Sequence, residues 1–491
     1  MSCFRHRGSR FVLGLGASSL LLAVSVAGHP AGATDASTTL FAEGGSFELN
    51  LIAQLQADGN SAIAPLVPAY FNANIDLARQ DFASGVADYA VSELPLTSAD
   101  AATAAQNKRT FAYVPFAASP VAIAAVVECG NDQTLKPTTL CPNLQLTVPL
   151  LAKIFTHGIP QWNDPSLSQF SGGKPAPVSD ASKSVSPLDQ IDPSASNLAL
   201  ASAFVNDPTA KITWDAFLKS NKITDDTPSD LWPTGQGSTG GDRTLADALV
   251  PVNETTLVPQ SNPSLWGEGE VAPLPGDWLG APRNFSTNGM TIAIQNASGK
   301  YVTPTSTSTL AALNDSTMDP STNLVTFNSS SSDAAAYPID VMSYLIVPTS
   351  GLSAAKATAL AAFIRFVLGQ NGQADIKSFG DAPVAAASSQ AMLNAGMHVA
   401  DLVAAEATQT TTTTSTTTVP GTTVSTDSPT SSSNGNGGSG NPTLTSGSSP
   451  SLAFTGGVPL PVLAGGAGLV AVSIVFRRRL KRRIAMRGSD P

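Results

Sequence analysis

Apolar residues fall into two kinds of run along the middle of the chain. Short continuous runs are typical of buried β-strands and occur at Ala122–Val127, Met290–Gln295 and Val341–Val347. The segment from Lys356 to Leu368 instead places apolar side chains at helical spacing, on one face formed by Leu360, Phe363, Ile364 and Val367. Strand-like and helix-like runs alternate between about 40 and 400, which predicts an α/β fold.

The start of the chain has the pattern of a secretory signal peptide. Three arginines precede an apolar run at 11–27, and the small residues Ala31-Gly32-Ala33 follow it. We therefore expect residues 1–33 to be removed and the mature protein to begin near Thr34. Because no cysteine ends the apolar run, lipid attachment at the N-terminus is not expected.

The end of the chain predicts attachment to the cell surface. Residues 34–400 form the expected folded domain, and 401–451 are dominated by Thr, Ser, Gly and Pro, a composition typical of a disordered linker. An apolar stretch at 457–476 is long enough to span a bilayer as a single helix, and the basic tail at 477–491 is expected in the cytoplasm.

Five residues between the linker and the apolar stretch resemble a sortase sorting motif of the LAxTG form found in high-GC Gram-positive bacteria. They are Leu452, Ala453, Phe454, Thr455 and Gly456. The resemblance implies sortase as a partner and covalent attachment to the cell wall. A retained single-pass membrane anchor is the alternative, and both place the folded domain outside the cell.

The section between the two terminal apolar runs is strongly acidic. It holds 16 of the 26 basic residues and 35 of the 36 acidic ones, so its formal charge is -19. A surface of that sign repels phosphate backbones, so we expect no nucleic-acid partner. Solubility outside the cell is the simplest role for this charge.

Cysteine and histidine usage favours a structural disulfide over a metal site. Cys129 and Cys141 are the two cysteines of the mature region, and an oxidising exterior is expected to join them. His157 and His398 are the remaining histidines there, and neither has neighbours at zinc-ligand spacing. The sequence therefore predicts no metal and no cofactor.

Enzyme motifs are missing from the sequence. It contains no G-x-S-x-G, no G-x-x-x-x-G-K-[ST] and no H-E-x-x-H pattern, the local signatures of nucleophilic, phosphate-transfer and zinc-hydrolase chemistry. We therefore predict no catalytic residues and a binding module rather than an enzyme.

Several segments resemble the phosphate-binding protein family of ABC transporters, in the order that the family has them. They are Gly44-Gly45-Ser46-Phe47, 88–97 (DYAVSELPLT), 153–165 (KIFTHGIPQWNDP), Tyr337-Pro338-Ile339 and 363–373. The resemblance implies a two-lobed periplasmic-binding-protein type II fold with a hinge. Lobe one would comprise about 40–117 and 300–395, and lobe two 118–299. It also implies phosphate or a related small anion as ligand, and an ABC permease as partner.

The resemblance implies a set of ligand-binding residues on both lobes. They are Ser46, Phe47 through its N–H, Ser92, Glu93, Ser194, Ser196 and Asn197. Such a site satisfies the oxygens of a dehydrated anion with N–H and hydroxyl donors, and one carboxylate accepts the proton of hydrogen phosphate.

Three positions depart from the family pattern. Glu93 stands for Asp, Ala195 stands for Gly, and Gln190 stands where the family has its only arginine. Without a guanidinium, a buried dianion loses a bidentate charged partner. Tight phosphate binding would then need another base, such as Arg243 or Arg283.

Ordinary structural roles are open for the same residues. Ser46, Ser194 and Ser196 are also suited to capping helices. Trp162 is expected to be structural, and Trp232, Trp266 and Trp278 either pack in a core or stack on sugars. The leading hypothesis is a surface-anchored solute-binding module. The alternative is a wall-attached adhesion or structural protein that keeps the fold and binds no phosphate.

Overall fold

The computed structural model describes much of the chain between residues 38 and 414. The described ranges are 38–63, 66–72, 74–127, 140–141, 144–167, 184–233, 241–251, 266–280, 284–286, 288 and 290–414. The predicted signal peptide, sorting motif, apolar stretch and basic tail lie outside them, as do Cys129 and Arg283.

Strands and helices alternate, which confirms the α/β prediction. The strands are β1 (Thr38–Gly44), β2 (Leu66–Asn72), β3 (Tyr89–Ser92), β4 (Phe111–Ala125), β5 (Gln145–Leu146), β6 (Ser186–Pro187), β7 (Glu270–Pro275), β8 (Ala293–Gln295), β9 (Tyr301–Val302), β10 (Thr317–Met318), β11 (Val325–Thr326), β12 (Asp340–Pro348) and β13 (Ala382–Pro383). The helices are α1 (Leu49–Ala62), α2 (Ile75–Ser84), α3 (Ser98–Gln106), α4 (Val148–Phe155), α5 (Ala195–Asn206), α6 (Pro208–Ser220), α7 (Gly241–Leu249), α8 (Ser306–Asn314), α9 (Ala354–Leu368), α10 (Gln370–Ser378) and α11 (Ala391–Thr414). One-turn 3-10 helices lie at Pro165–Leu167, Gly276–Trp278 and Val384–Ala386.

The main sheet among these residues has the order β2-β1-β3-β12-β4-β7-β6, and β13 also pairs with β4. Its first three strands are parallel, with α1 and α2 as the crossovers that parallel pairing requires. β12 runs antiparallel to both β3 and β4. A separate small sheet joins β5, β8 and β9.

Strand β4 connects three hydrophobic cores. Its first half packs in a first core with β1, β3, β12 and α9. In its second half, Val121, Ile123 and Ala125 belong to a second core with α4 and α5. Ala122 and Ala124 point to the opposite face, into a third core with α7 and β7. The alternation explains why this stretch reads as a continuous apolar run: both of its faces are buried.

The predicted strands and helix are confirmed. Strand β4 covers most of the run at 122–127 and begins earlier, at Phe111, whereas β12 matches the run at 341–347 within one residue at each end. In the run at 290–295 only β8 forms a strand. Helix α9 fully buries the four side chains of the predicted face.

The last described helix extends into the segment assigned to the linker. Helix α11 continues through 401–414, the first part of that segment. The reason is packing: Val399, Ala400 and Val403 are buried in the first core, and Ala404 and Ala407 pack against it. Alanine is the best helix former, so the run of alanines before the threonines sustains the helix.

The predicted membrane-spanning segment and the predicted disulfide both involve residues outside the described ranges. Within the described ranges no helix is both long and apolar enough to cross a bilayer, and the segment at 457–476 is not among them. Cys141 is buried, but its expected partner Cys129 is not described, so the disulfide stays a prediction.

Candidate functional site

The loop after β1 and the turn after β3 lie side by side at the carboxyl ends of two paired parallel strands. Ligands of open α/β sheets bind at such ends, because the loops that leave neighbouring strands meet there. Ser46 lies two residues beyond β1, and Glu93 directly follows β3. These two of the predicted site residues are thus brought to one edge of the sheet.

Ser46 is held by the start of α7 rather than capping its own helix. Its hydroxyl donates to Asp242 Oδ2 at 2.8 Å and accepts the Asp242 N–H at 2.9 Å. The other carboxylate oxygen, Asp242 Oδ1, accepts from Gln190 Nε2 at 2.7 Å. All three side chains are buried. Asp242 therefore joins the loop after β1 to the segment that leads into α5.

The loop that carries Ser46 is fixed by further contacts. Trp278 Nε1 donates to the Ser46 carbonyl at 3.0 Å, and the Tyr70 hydroxyl donates to the Gly45 carbonyl at 2.8 Å. Phe47 packs its ring in the second core, so its predicted role concerns only its N–H. The Ser46 hydroxyl is therefore presented in one defined position.

Ser92 and Glu93 occupy different environments. The Ser92 hydroxyl donates to the Leu94 carbonyl at 2.6 Å and accepts the Leu94 N–H at 3.1 Å, which closes a local turn. The Glu93 side chain is buried, and its Oε2 has no hydrogen-bond partner among the described residues. Glu93 is therefore the more available of the two.

The residues at the start of α5 also differ in whether their side chains already form hydrogen bonds within the protein. Ser194 is the N-cap, and its Oγ accepts the Asn197 N–H at 3.1 Å, so the capping role holds for this residue. Asn197 donates to the carbonyls of Gln190 and Asp230. Ser196 is fully buried, and within the described part of the chain its hydroxyl has no partner.

Five buried carboxyl groups, here called the acidic cluster, interact electrostatically with one another, and one of them, Asp242, contacts Ser46. They come from separate parts of the chain and are Glu48, Glu93, Asp242, Asp277 and Asp381. Electrostatic interactions link them: the charge of Glu48 acts on Glu93, Asp277 and Asp381, and that of Asp242 acts on Glu48, Glu93 and Asp277.

Neutral donors bind several of these carboxylates. Glu48 Oε1 accepts from Ser343 Oγ at 2.5 Å, and Asp381 Oδ1 accepts from Ser119 Oγ at 2.5 Å. Asp277 Oδ2 accepts the Asn50 N–H at 2.9 Å, near the start of α1.

Burial raises the pKa of every member of the acidic cluster. It raises the pKa of Glu48 to about 7 and that of Asp242 to about 6, and in both cases hydrogen bonds from neighbouring hydroxyls oppose the rise. Burial, and then the charge of Glu48, raise the pKa values of Glu93, Asp277 and Asp381 well above their ordinary range. The cluster therefore keeps protons that exposed carboxyl groups would release.

Among the described residues, two basic side chains considered near this site form ion pairs with other aspartates. Arg79 lowers the pKa of Glu93 only slightly beside the larger effects of burial and Glu48, and it forms ion pairs with Asp76 and Asp230. Arg243, one of the two bases considered as substitutes for the missing arginine, is half exposed and lies 3.8 Å from Asp247. Arg243 therefore does not replace the guanidinium that Gln190 lacks.

Four residues of this site escaped the sequence analysis: Glu48, Asp242, Asp277 and Asp381. A signal existed for Glu48, because it follows Ser46 by two residues in the glycine-rich loop. The excess of acidic over basic residues hinted at unpaired carboxylates without saying which ones they are.

The tryptophans pack as structural residues. Trp162 is buried and donates from Nε1 to the Gly269 carbonyl at 3.0 Å. Trp232 and Trp278 are buried in the second and third cores, and Trp266 packs against the third. A cavity of about 350 Å³ lies beside Trp214 and Trp232, and no residue of the predicted site lines it. The cavity and the acidic cluster are separate places.

Two features bear on what the site could bind: groups of metal-ligating side chains and hydrogen-bond donors. The described residues contain no group of three or more His, Cys, Asp or Glu side chains placed to hold a metal ion. The buried hydroxyls of Ser46 and Ser196 and the amide of Gln190 can donate, and protonated carboxyl groups can donate as well.

Solved structures of phosphate-binding proteins have a similar fold. A human phosphate-binding apolipoprotein is 16% identical, with a TM-score of 0.50, over 73% of this chain and 93% of its own. A phosphate-binding protein from Stenotrophomonas maltophilia is 13% identical, with a TM-score of 0.46, over 74% of this chain and 93% of its own. At these identities the likeness concerns the fold alone. A search of curated protein sequences found no match.

A family model gives the stronger result. The model described as PBP superfamily domain matches residues 30–371, which include β1 to β12 and the residues of the acidic cluster up to Asp277. The match covers well over half of the chain. The protein therefore belongs to the PBP superfamily.

Proposed function

We propose that this chain is a solute-binding protein that takes a small anion, phosphate or a relative of it, at Ser46, Gln190 and the neighbouring acidic cluster. One observation carries the proposal: the Ser46 hydroxyl and the Gln190 amide converge on a single carboxylate, that of Asp242. Two donors that bind both oxygens of a carboxylate are equally suited to two oxygens of an external oxyanion.

The acidic cluster sets a condition on such binding. Ionised carboxylates would repel an anion, whereas protonated ones are neutral and donate hydrogen bonds. Because the pKa values of Glu48 and Asp242 are raised to about 7 and about 6, the cluster becomes compatible with an anion as pH falls through this range. Anion binding should therefore be accompanied by proton uptake.

Calorimetric titration of the purified chain tests this function. Phosphate and sulfate are titrated at about pH 5 and about pH 8. We expect tighter binding at the lower pH, and sulfate separates the titration of the protein from that of phosphate because its charge is constant over this range. Ser196→Ala should weaken binding, because it removes a buried hydroxyl with no partner among the described residues. The absence of heat for both anions at both pH values would reject the proposal.

A wall-attached adhesion or structural protein is the second candidate. It is favoured by the same Asp242 contacts, because donors that are already satisfied by the protein have no need of a solute. The titration separates the two candidates, since an adhesion protein with this fold would bind neither anion.

We further propose that the chain is exported and held at the cell surface by the LAFTG motif at 452–456, with sortase as partner. The tripartite arrangement of motif, apolar stretch and basic tail supports this. When 452–456 is deleted in the native host, the protein should be found in the membrane fraction or the medium instead of the wall fraction, because sortase can no longer attach it. If detergent extracts the wild-type protein from membranes and its 452–456 segment is uncleaved, the result would favour a retained membrane anchor. Coupling to an ABC permease is a separate expectation, tested by co-purification.

A further inference from the structure

The Asp242 carboxylate is bound in the way that a ligand would be. Each of its oxygens accepts a hydrogen bond from a different segment: Oδ2 from Ser46 at 2.8 Å and Oδ1 from Gln190 at 2.7 Å. Ser46 is a predicted ligand residue, and Gln190 stands at the position of the family's arginine. The protein's own carboxylate thus occupies one donor that the resemblance assigns to the solute, Ser46, and the side chain that stands in place of the family's arginine, Gln190.

The backbone at the start of α7 is shaped for this contact. Gly241 has a φ of +67°, and a Cβ atom there would lie 2.1 Å from Ser46 Oγ. A residue other than glycine would be strained by that φ and would press against the serine. The Asp242 N–H also donates to the same hydroxyl at 2.9 Å. Side chain and main chain together bring Asp242 onto Ser46.

We propose that Asp242 is an intramolecular anion that competes with the solute, so that a small anion binds by displacing its side chain from Ser46 and Gln190. The inference rests on the proposed function and adds the residue that sets the affinity and specificity of the site. An attached group competes at a high effective concentration, so only solutes with more or better-placed oxygens than a carboxylate displace it.

The surrounding charges make simultaneous occupancy unfavourable. Asp242 is buried, and its charge already interacts with those of Glu48, Glu93 and Asp277. An anion added beside an ionised Asp242 would place two like charges in contact in a region that excludes water. Displacement of the side chain removes one of them, which favours exchange over addition.

Two variants of the full chain test the proposal. Asp242→Asn keeps the shape and an oxygen for Gln190 but removes the charge, whereas Asp242→Ala vacates the position. Phosphate affinity should rise in the order wild type, Asp242→Asn, Asp242→Ala, with at least a tenfold gain for the alanine variant at about pH 7. Asp247→Asn is the matched control, because it makes the same chemical change on the same helix at a partly exposed side chain. Its affinity should equal that of the wild type.

The outcomes separate this inference from the proposed function. If the wild type binds phosphate and folded Asp242 variants bind it no more tightly, the function stands and the competition is overturned. If only the variants bind, the competition stands and the native chain is not a phosphate binder. If none binds, both proposals fall.

A second measurement does not depend on the stability of the variants. In a crystal structure of the wild-type chain with bound phosphate, the Asp242 side chain should have left Ser46 and Gln190. Phosphate bound with both hydrogen bonds intact would overturn the proposal.

Discussion

Asp88 and Asp242 are both buried aspartates, but their partners differ in charge. Asp88 lies beside β3 and receives Lys356 Nζ at 2.7 and 2.9 Å, together with the Phe41 N–H at 2.9 Å. Arg109 donates to the Asp88 carbonyl at 2.8 Å. Among the described residues, Asp242 accepts from the neutral side chains of Ser46 and Gln190 and has carboxyl groups as its charged neighbours.

The difference indicates what each carboxylate does. A buried charge paired with a cation joins elements of a fold, here the start of β3 and α9. A buried carboxylate held by neutral donors among other carboxylates keeps its proton more readily and is easier to exchange for another group. We therefore assign a structural role to Asp88 and reserve a ligand-related one for Asp242.

Of the effects predicted here, the largest should be the change in the free energy of unfolding with pH that the acidic cluster causes. Its pKa values are raised in the folded state, so the folded protein binds more protons than the unfolded chain between about pH 4 and pH 7. This contribution to stability is fully present below about pH 4 and is lost as pH rises through about 6 and 7. One unit of pKa corresponds to about 1.4 kcal/mol, so a change of a few kcal/mol is expected.

Denaturant unfolding at a series of pH values measures this effect. The free energy of unfolding should be larger at about pH 5 than at about pH 8, and Asp242→Asn should flatten part of the slope. Stability that rises steadily from pH 5 to pH 8 would contradict raised pKa values in the acidic cluster, because the folded protein would then bind fewer protons than the unfolded chain.

Gly241→Ala should be the next largest change. An alanine with positive φ costs about 1–2 kcal/mol, and its Cβ would meet Ser46 Oγ as well. Gly299→Ala is the matched control, because Gly299 also has a positive φ, +79°, but nothing lies within 4 Å of an added Cβ. Thermal unfolding of both variants separates the effect of the Cβ contact with Ser46 from that of the positive φ. Equal losses of stability would show that α7 adapts to the added methyl group and that its approach to Ser46 is not tightly fixed.

Lys356→Met tests the other aspartate of the comparison, Asp88, by removing its cation. The change removes the cation that binds Asp88, whose side chain is largely buried. For a fully buried pair, loss of one partner strongly reduces the free energy of unfolding. The lysine side chain is 40% exposed, so solvent screening reduces the expected loss to roughly 1–2 kcal/mol. The exposed Lys219→Met, on α6, should change stability by less than about 0.5 kcal/mol. If the two variants unfold at the same denaturant concentration, the Asp88 pair has no structural role.

Local patterns were enough to predict much of the fold. The face of α9 and the buried runs of β4 and β12 follow from the periodicity and the apolar runs of the sequence. The structural role of Trp162 was instead expected from the resemblance of its segment to the family. Composition alone did not predict that α11 continues past residue 400, because the threonines after the alanines have low helix propensity.

The site could be predicted only where it lies on recognisable segments. Ser46 and Asp242 are 196 residues apart in sequence, and no periodicity connects them. An aspartate at the start of a helix looks like an ordinary first-turn residue, stabilised by the helix dipole. What identifies Asp242 is the tertiary pairing with Gln190, and the replacement of arginine by glutamine was the one sequence signal that pointed there.

Ser194→Ala and Ser196→Ala should show the smallest and most informative difference. Ser194 caps α5, so its loss should cost about 1 kcal/mol. Ser196 is buried with no hydroxyl partner among the described residues, so its replacement should leave stability within about 0.5 kcal/mol or raise it slightly. If Ser196 is kept for a solute, phosphate affinity should fall in Ser196→Ala although its thermal stability does not. If affinity is unchanged while stability falls, the Ser196 hydroxyl has a partner within the protein, and the solute contacts must lie on the Ser46 side of the acidic cluster.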